Sequence, residues 1–203
     1  MSQGELILTD KLKEMTWEAP EERQSQASGF GGNDQVIIYG RPFWRIRLVY
    51  DQLNEASYRT LTAWLARRKG SRVTFTSPRL DRRRPLLAPS VTNTGLSVVS
   101  VNISAGTVTI GGVGATQISA GDMVGFYTSA SGYWIGEATA NAAPSGGQVV
   151  IPVHPYPQTP HATLAAPRLY EALGEFKLVG PAQNTSRHTK RATVAFEAIQ
   201  VVR

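Results

Sequence analysis

Asp122 and Glu137 are the only acids between Ala88 and Arg168, which makes them the first pair to test for acid–base chemistry. A glycosidase needs two carboxyls held a fixed distance apart across a sugar bond, and nothing in the sequence spacing brings these two together. Asp122 also follows Gly121, a turn context that Asp occupies for backbone reasons alone. His154 and His161 sit in the Pro-rich stretch HPYPQTPH, and His188 stands alone; none has a His-Glu-x-x-His helix or an acidic cluster beside it. The chain has no Cys, so thiolate nucleophiles, thiolate-bound zinc and disulfides are excluded together. No Gly-x-Ser-x-Gly elbow is present either. Residue chemistry therefore predicts no catalytic centre, no metal and no cofactor.

What remains is chemistry of contact. Arg79, Arg82, Arg83 and Arg84 lie between Pro78 and Pro85, which forbids a long helix and places the guanidiniums on an exposed loop. Their planar forks suit carboxylates as well as phosphates. The net charge of +6 and pI near 9.8 invite a nucleic-acid reading. No helix-turn-helix, zinc-finger or RNP pattern accompanies them, so the acidic rim of a partner protein is the better expectation. Arg45 and Arg47 alternate with Trp44, Ile46, Leu48 and Tyr50, the period-two signature of a strand with one apolar and one cationic face. Arg45, Arg47, Arg82, Arg83 and Arg84 are thus the candidate subunit-interface residues. Tyr133 and Trp134 are adjacent, so on a strand they point to opposite faces, and an exposed ring there is the candidate contact for a glycan or a partner.

The elements that must position these groups fall into two blocks. Residues 89–167 hold no Lys or Arg, while all twenty-one basic side chains lie in the flanks. That neutral block is full of short Val/Ile/Thr runs punctuated by Gly, Ser and Pro: 96–103, 107–110, 123–127, 133–136 and 148–153. Such spacing predicts a small β-barrel or sandwich. Pro152, Pro155, Pro157 and Pro160 read as an extended exit that cannot continue a central sheet. In the flanks, residues 54–69 predict the one helix, with Asn54 as N-cap, an apolar stripe of Tyr58, Leu61, Trp64 and Leu65, and Gly70 as terminator. A strand over 73–76, ended by Ser77 and Pro78, follows it, and a last strand spans 191–202. Residues 1–34 read as a polar arm with assembly as its expected use, and SGFGGN at 28–33 as a turn, because a β-branched run and not a helix follows it. The predicted fold is mainly β with one helix: a discontinuous β-sandwich domain of 1–88 and 168–203 carrying an inserted β module at 89–167. No segment reaches the roughly eighteen apolar residues of a membrane span, and MSQGELILTDKLKE lacks a signal-peptide pattern, so a soluble chain without membrane partners is expected.

The order of these motifs resembles a known group. QVIIYGRPFWRIRLVYDQL, a helix ending AWLARRKG, RVTFTSP, SAGTVTIGG, ISAGDMVGFYTSASGYWIGEATANA, VVIPVHP and GEFKLVGP before a closing strand are similar to tail proteins of long-tailed bacteriophages. The likeness is to the distal tail protein and lambda-type minor tail proteins, covers residues 35–203, and does not extend to the first thirty residues. It implies a belt-like β-sandwich with a helix, assembled as a hexameric ring at the tail tip of the virion after synthesis in the host cytoplasm. Implied partners are further copies of the chain, the tail tube protein and the baseplate hub or other tail-tip proteins. The alternative is a carbohydrate-binding module that attaches a particle to host glycans through the inserted segment.

Overall fold

Alternation decides the first sheet. The computed structural model describes residues 4–18, 23–26, 35–38, 43–68, 72–128, 132–156, 164–187 and 191–201. Its strands are β1 (Gly4–Glu5), β2 (Leu12–Glu18), β3 (Arg23–Gln26), β4 (Gln35–Ile38), β5 (Arg45–Leu53), β6 (Phe75–Pro78) and β7 (Ser97–Asn102). There follow β8 (Thr107–Gly111), β9 (Met123–Thr128), β10 (Gly132–Ala138), β11 (Gln148–His154), β12 (Leu164–Arg168), β13 (Leu173–Arg187) and β14 (Arg191–Gln200). One helix, α1 (Glu55–Arg67), joins β5 to β6. Two six-stranded sheets carry the fold, ordered β1-β6-β13-β14-β5-β2 and β12-β9-β10-β11-β8-β7, both antiparallel except for the short β1–β6 pair. The result is the expected mainly β, one-helix sandwich.

In β5, Ile46, Leu48 and Tyr50 are fully buried while Arg45 and Arg47 are exposed, as a period-two strand requires. Phe196 of β14 pairs with Leu48, so the last strand lies against β5. The inner face of this sheet is an aromatic cluster in which Trp64, Phe75, Phe176, Phe196, Tyr50, Trp17 and Trp44 meet at centroid distances between 5.2 and 6.4 Å. Helix α1 covers part of it with Leu61, Trp64 and Leu65. Its N-terminus is fixed by Asn54, whose Oδ1 accepts the Ser57 N–H at 2.8 Å. The predicted end of the helix at Lys69 and Gly70 lies outside the described residues, as do the 28–33 turn, His161, His188, Pro157 and Pro160.

All six strands of the second sheet come from residues 97–168, and the first sheet takes its strands from both sides of that segment. The second core contains Val108, Ile110, Val124, Phe126, Trp134, Val149 and Ile151. The sheet curls until β12 and β7, its two edges, lie close together. On its other face, Met123 and Ile135 enter the aromatic core of the first sheet.

Three expectations need correction. Residues 4–18 are not an arm: β1 pairs with β6, and β2 pairs with β5 along Leu12–Glu18. Residues 23–26 and 35–38 form a separate hairpin. Pro152 lies within β11 and pairs with Thr107, although β11 is central in its sheet. It is tolerated because β8 accompanies β11 over 148–152 and β10 only at 153–154, so Pro152 stands where one ladder hands over to the next. The strand expected over 73–76 is shifted to Phe75–Pro78, with Pro78 as its final residue, where no further ladder bond is interrupted.

Candidate functional site

The strands set the two lone acids on adjacent rungs of one ladder but point their side chains to opposite faces of the sheet, so the carboxyls are not brought together. Glu137 pairs across the β9–β10 ladder with Met123, the neighbour of Asp122, and Ala138 N–H donates to Asp122 O at 2.8 Å. Each carboxylate is already occupied. Asp122 is 5% exposed and accepts the N–H groups of Leu86 (2.9 Å) and Ser119 (2.7 Å). Glu137 accepts from Arg79 Nη1 at 2.8 Å and Arg82 Nη1 at 2.9 Å. Glycosidic catalysis needs one carboxyl free to give a proton and another free to attack or to activate water. Here all four partners belong to the chain, and the arrangement holds a loop in place.

That loop is the arginine run. Residues 81–84, 86, 87, 89 and 90 are exposed, as expected for a Pro-bounded segment, whereas Arg79 is half-buried and Pro85 buried, and all four guanidiniums are engaged by the chain itself. Arg79 lies over the Trp17 ring with 5.8 Å from Cζ to centroid and joins the first sheet to Glu137 of the second. Arg82 adds a bond to Gly121 O at 3.0 Å, and Gly121 sits at φ +92°, a value that admits few residues other than glycine. Arg83 is 3.5 Å from Glu171, while its backbone carbonyl accepts the Glu171 N–H at 2.7 Å. Arg84 donates to Pro89 O and stacks over Tyr170 at 4.9 Å. Four forks read as partner contacts are thus engaged within the chain. What the loop presents outward is apolar: Leu86 and Leu87 are 75% and 60% exposed.

Arg45 and Arg47 differ. Both are exposed on the outer face of the first sheet, opposite Glu18 and Thr16 of β2, and among the described residues neither forms an ion pair. Arg47 lines a shallow depression with Val179, Gly180, Pro181 and Glu197, opened where β13 bulges between Val179 and Gln183. Asp51 on the same strand takes the Thr193 hydroxyl at 2.6 Å and Lys13 Nζ at 3.0 Å. Those two hydrogen bonds, the Thr193 one foremost, lower its pKa to about 2.

The aromatic pair separates by face. Trp134 points into the second core, stacked on Phe126 at 5.3 Å and only 7% exposed, so it is removed from the candidate contacts. Tyr133 points outward beside Tyr127, its cross-strand partner, with centroids 5.1 Å apart; Tyr127 is 40% exposed. Tyr127 was missed from sequence because its face follows only from the register of β9 on β10.

The two sheets are knotted at one further point. Trp44 and Gln200 bond each other through Gln200 N–H to Trp44 O (2.8 Å) and Trp44 N–H to Gln200 Oε1 (3.2 Å). Trp44 Nε1 and Gln200 Nε2 then both donate to Ile135 O at 3.1 Å. Gly174 is required beside this knot: a Cβ there would lie 2.4 Å from Ile135 Cγ2. No protein-family model matches this chain, and no curated protein does.

Proposed function

We propose that this chain is a structural subunit of a long-tailed phage tail tip, forming a closed ring that joins the tail tube to the baseplate hub. The observation that carries the reading is the pair of open edges on the first sheet. At one side, β2 ends the sheet, and no described strand pairs with its outer side. At the other, β6 accompanies β13 only over Leu173–Phe176, which leaves residues 177–187 without a described strand on that side. Unprotected edges invite pairing, and two different edges on opposite sides of one subunit make a head-to-tail contact that closes by rotation. Arg45 and Arg47, which form no ion pair among the described residues, supply charge on the same sheet for registering a neighbour. The exposed Leu86 and Leu87 give a second, apolar surface suited to contact with another protein. The likeness in motif order to distal and minor tail proteins points the same way.

Multi-angle light scattering and negative-stain imaging of the purified chain test this. The expected result is a ring whose mass is a whole multiple of 22.0 kDa, dispersed by the double variant Arg45→Glu, Arg47→Glu with no change in melting temperature. A chain that stays monomeric at high concentration, alone and with its tail tube protein, overturns the reading.

A further inference from the structure

We propose that the cleft beside Tyr127 and Tyr133 is a saccharide-binding site that takes a single pyranose ring. The inference goes beyond the ring assembly and does not depend on it. Asn93, Tyr127, Tyr133, Ala166, Pro167 and Arg168 line a cavity of about 310 Å³, near the lower limit of small-ligand sites. The cleft exists because β12 breaks register on β9 between Ala165 and Arg168, where Ala166 adopts φ 44° and carries the chain away from the Tyr127 side. A non-glycine residue in that region is strained, and such strain is found preferentially at ligand sites.

The wall chemistry selects the occupant. The Tyr127 and Tyr133 planes meet at 57°, so the pair forms an angled apolar notch and not a flat stack. Each ring offers a face to the C–H side of a sugar and a phenol to its hydroxyl rim. Among the described residues no hydrogen bond involves either phenol, and Arg168 forms part of the same wall. Asn93 is held rigidly: its Oδ1 accepts Leu169 N–H and Tyr170 N–H, and its Nδ2 donates to Tyr170 O at 2.8 Å. One amide N–H of Asn93 is left to donate. Apolar faces ringed by divergent donors match a pyranose. A proline-rich peptide, the other common occupant of tyrosine-lined surfaces, needs a longer groove and little edge polarity.

Saturation-transfer NMR on the full chain is the test, using the methyl glycosides of glucose, galactose, N-acetylglucosamine and rhamnose as probes. Transfer to the ring C–H protons of at least one is expected, with a dissociation constant of about 1 mM, as roughly a dozen non-hydrogen atoms at ordinary ligand efficiency would give. Tyr127→Ala and Tyr133→Ala should each weaken it about tenfold, while Tyr133→Phe keeps most of it. Arg168→Gln, which leaves both rings in place, should weaken binding without abolishing it. Melting curves and light scattering on the same samples separate loss of binding from loss of fold or of assembly. No transfer to any of the four probes, transfer unaffected by both alanine variants, or binding of a polyproline peptide at the tyrosines in their place overturns the proposal.

Discussion

Gly174→Ala is a one-methyl change whose cost follows from two distances. The added Cβ would stand 2.4 Å from Ile135 Cγ2 and 2.8 Å from Phe176 Cε2, closer than real Cβ contacts come. Ile135 and Phe176 are both fully buried, so neither can swing into solvent to relieve the overlap. Overpacking of a buried site costs about 1–3 kcal/mol. For a chain of this size that lowers the melting temperature by roughly 2–12 °C. The Ile135→Ala background locates the source. Alone, that variant costs about 2–5 kcal/mol through lost burial and a residual cavity. With Cγ2 gone, however, adding Gly174→Ala should cost well under about 1 kcal/mol, the remainder reporting only the Phe176 ring. Urea unfolding of the four proteins, followed by tryptophan fluorescence, gives the double-mutant cycle. An equal cost for Gly174→Ala in both backgrounds refutes the close approach of β13 to β10 as the reason for glycine.

Glu137→Ala leaves Arg79, whose side chain is 13% exposed, with only the exposed Asp81 as an ionic partner, and should cost about 1–3 kcal/mol and speed tryptic cleavage at Arg82 to Arg84; an unchanged cleavage rate would mean the loop is held by other contacts. Glu175 is fully buried, and among the described residues neither carboxylate oxygen has a hydrogen-bond partner, so Glu175→Gln should raise the melting temperature at neutral pH by an amount worth about 1–3 kcal/mol. A lower melting temperature for that variant would show the charge to be compensated. Asp51 has a folded pKa of about 2 against an ordinary 3.8, so its contribution is complete above about pH 4 and is lost as pH falls toward 2. The drop in stability across that interval, measured by chemical denaturation, should be smaller in Asp51→Asn than in the parent chain; equal drops refute the assignment.

The sequence was most readable where a single period ran unbroken. Ile46, Leu48 and Tyr50 alternate without interruption, Asn54 announced the start of the helix, and the Leu61, Trp64, Leu65 stripe announced its buried side. The near absence of charge over 89–167 marked the strands that make the second sheet. β2 was hidden by its own bulge. The residues opposite Tyr50, Leu48 and Ile46 are Leu12, Met15 and Trp17, and the shift between Leu12 and Glu14 turns a period of two into a spacing of three and then two. Read without a partner strand, that spacing suits a helix as well as a strand. β13 is interrupted in the same way between Val179 and Gln183, at Gly180 and Pro181. The arginine loop failed for a different reason: its exposure follows from local Pro positions, whereas Arg79 to Glu137 and Arg83 to Glu171 link residues far apart in the chain. Tyr127 and Arg168 were unreadable as a cleft because only the break in β12 register brings them around one cavity.

The shared acceptor at Ile135 also sets how the molecule transmits force. Its two donors, Trp44 and Gln200, stand at the start of β5 and the end of β14, adjacent strands in the interior of their sheet. A pull on the first sheet therefore enters the second through its middle, at β10, spread over neighbouring ladders at once and not through either sheet's edge strands.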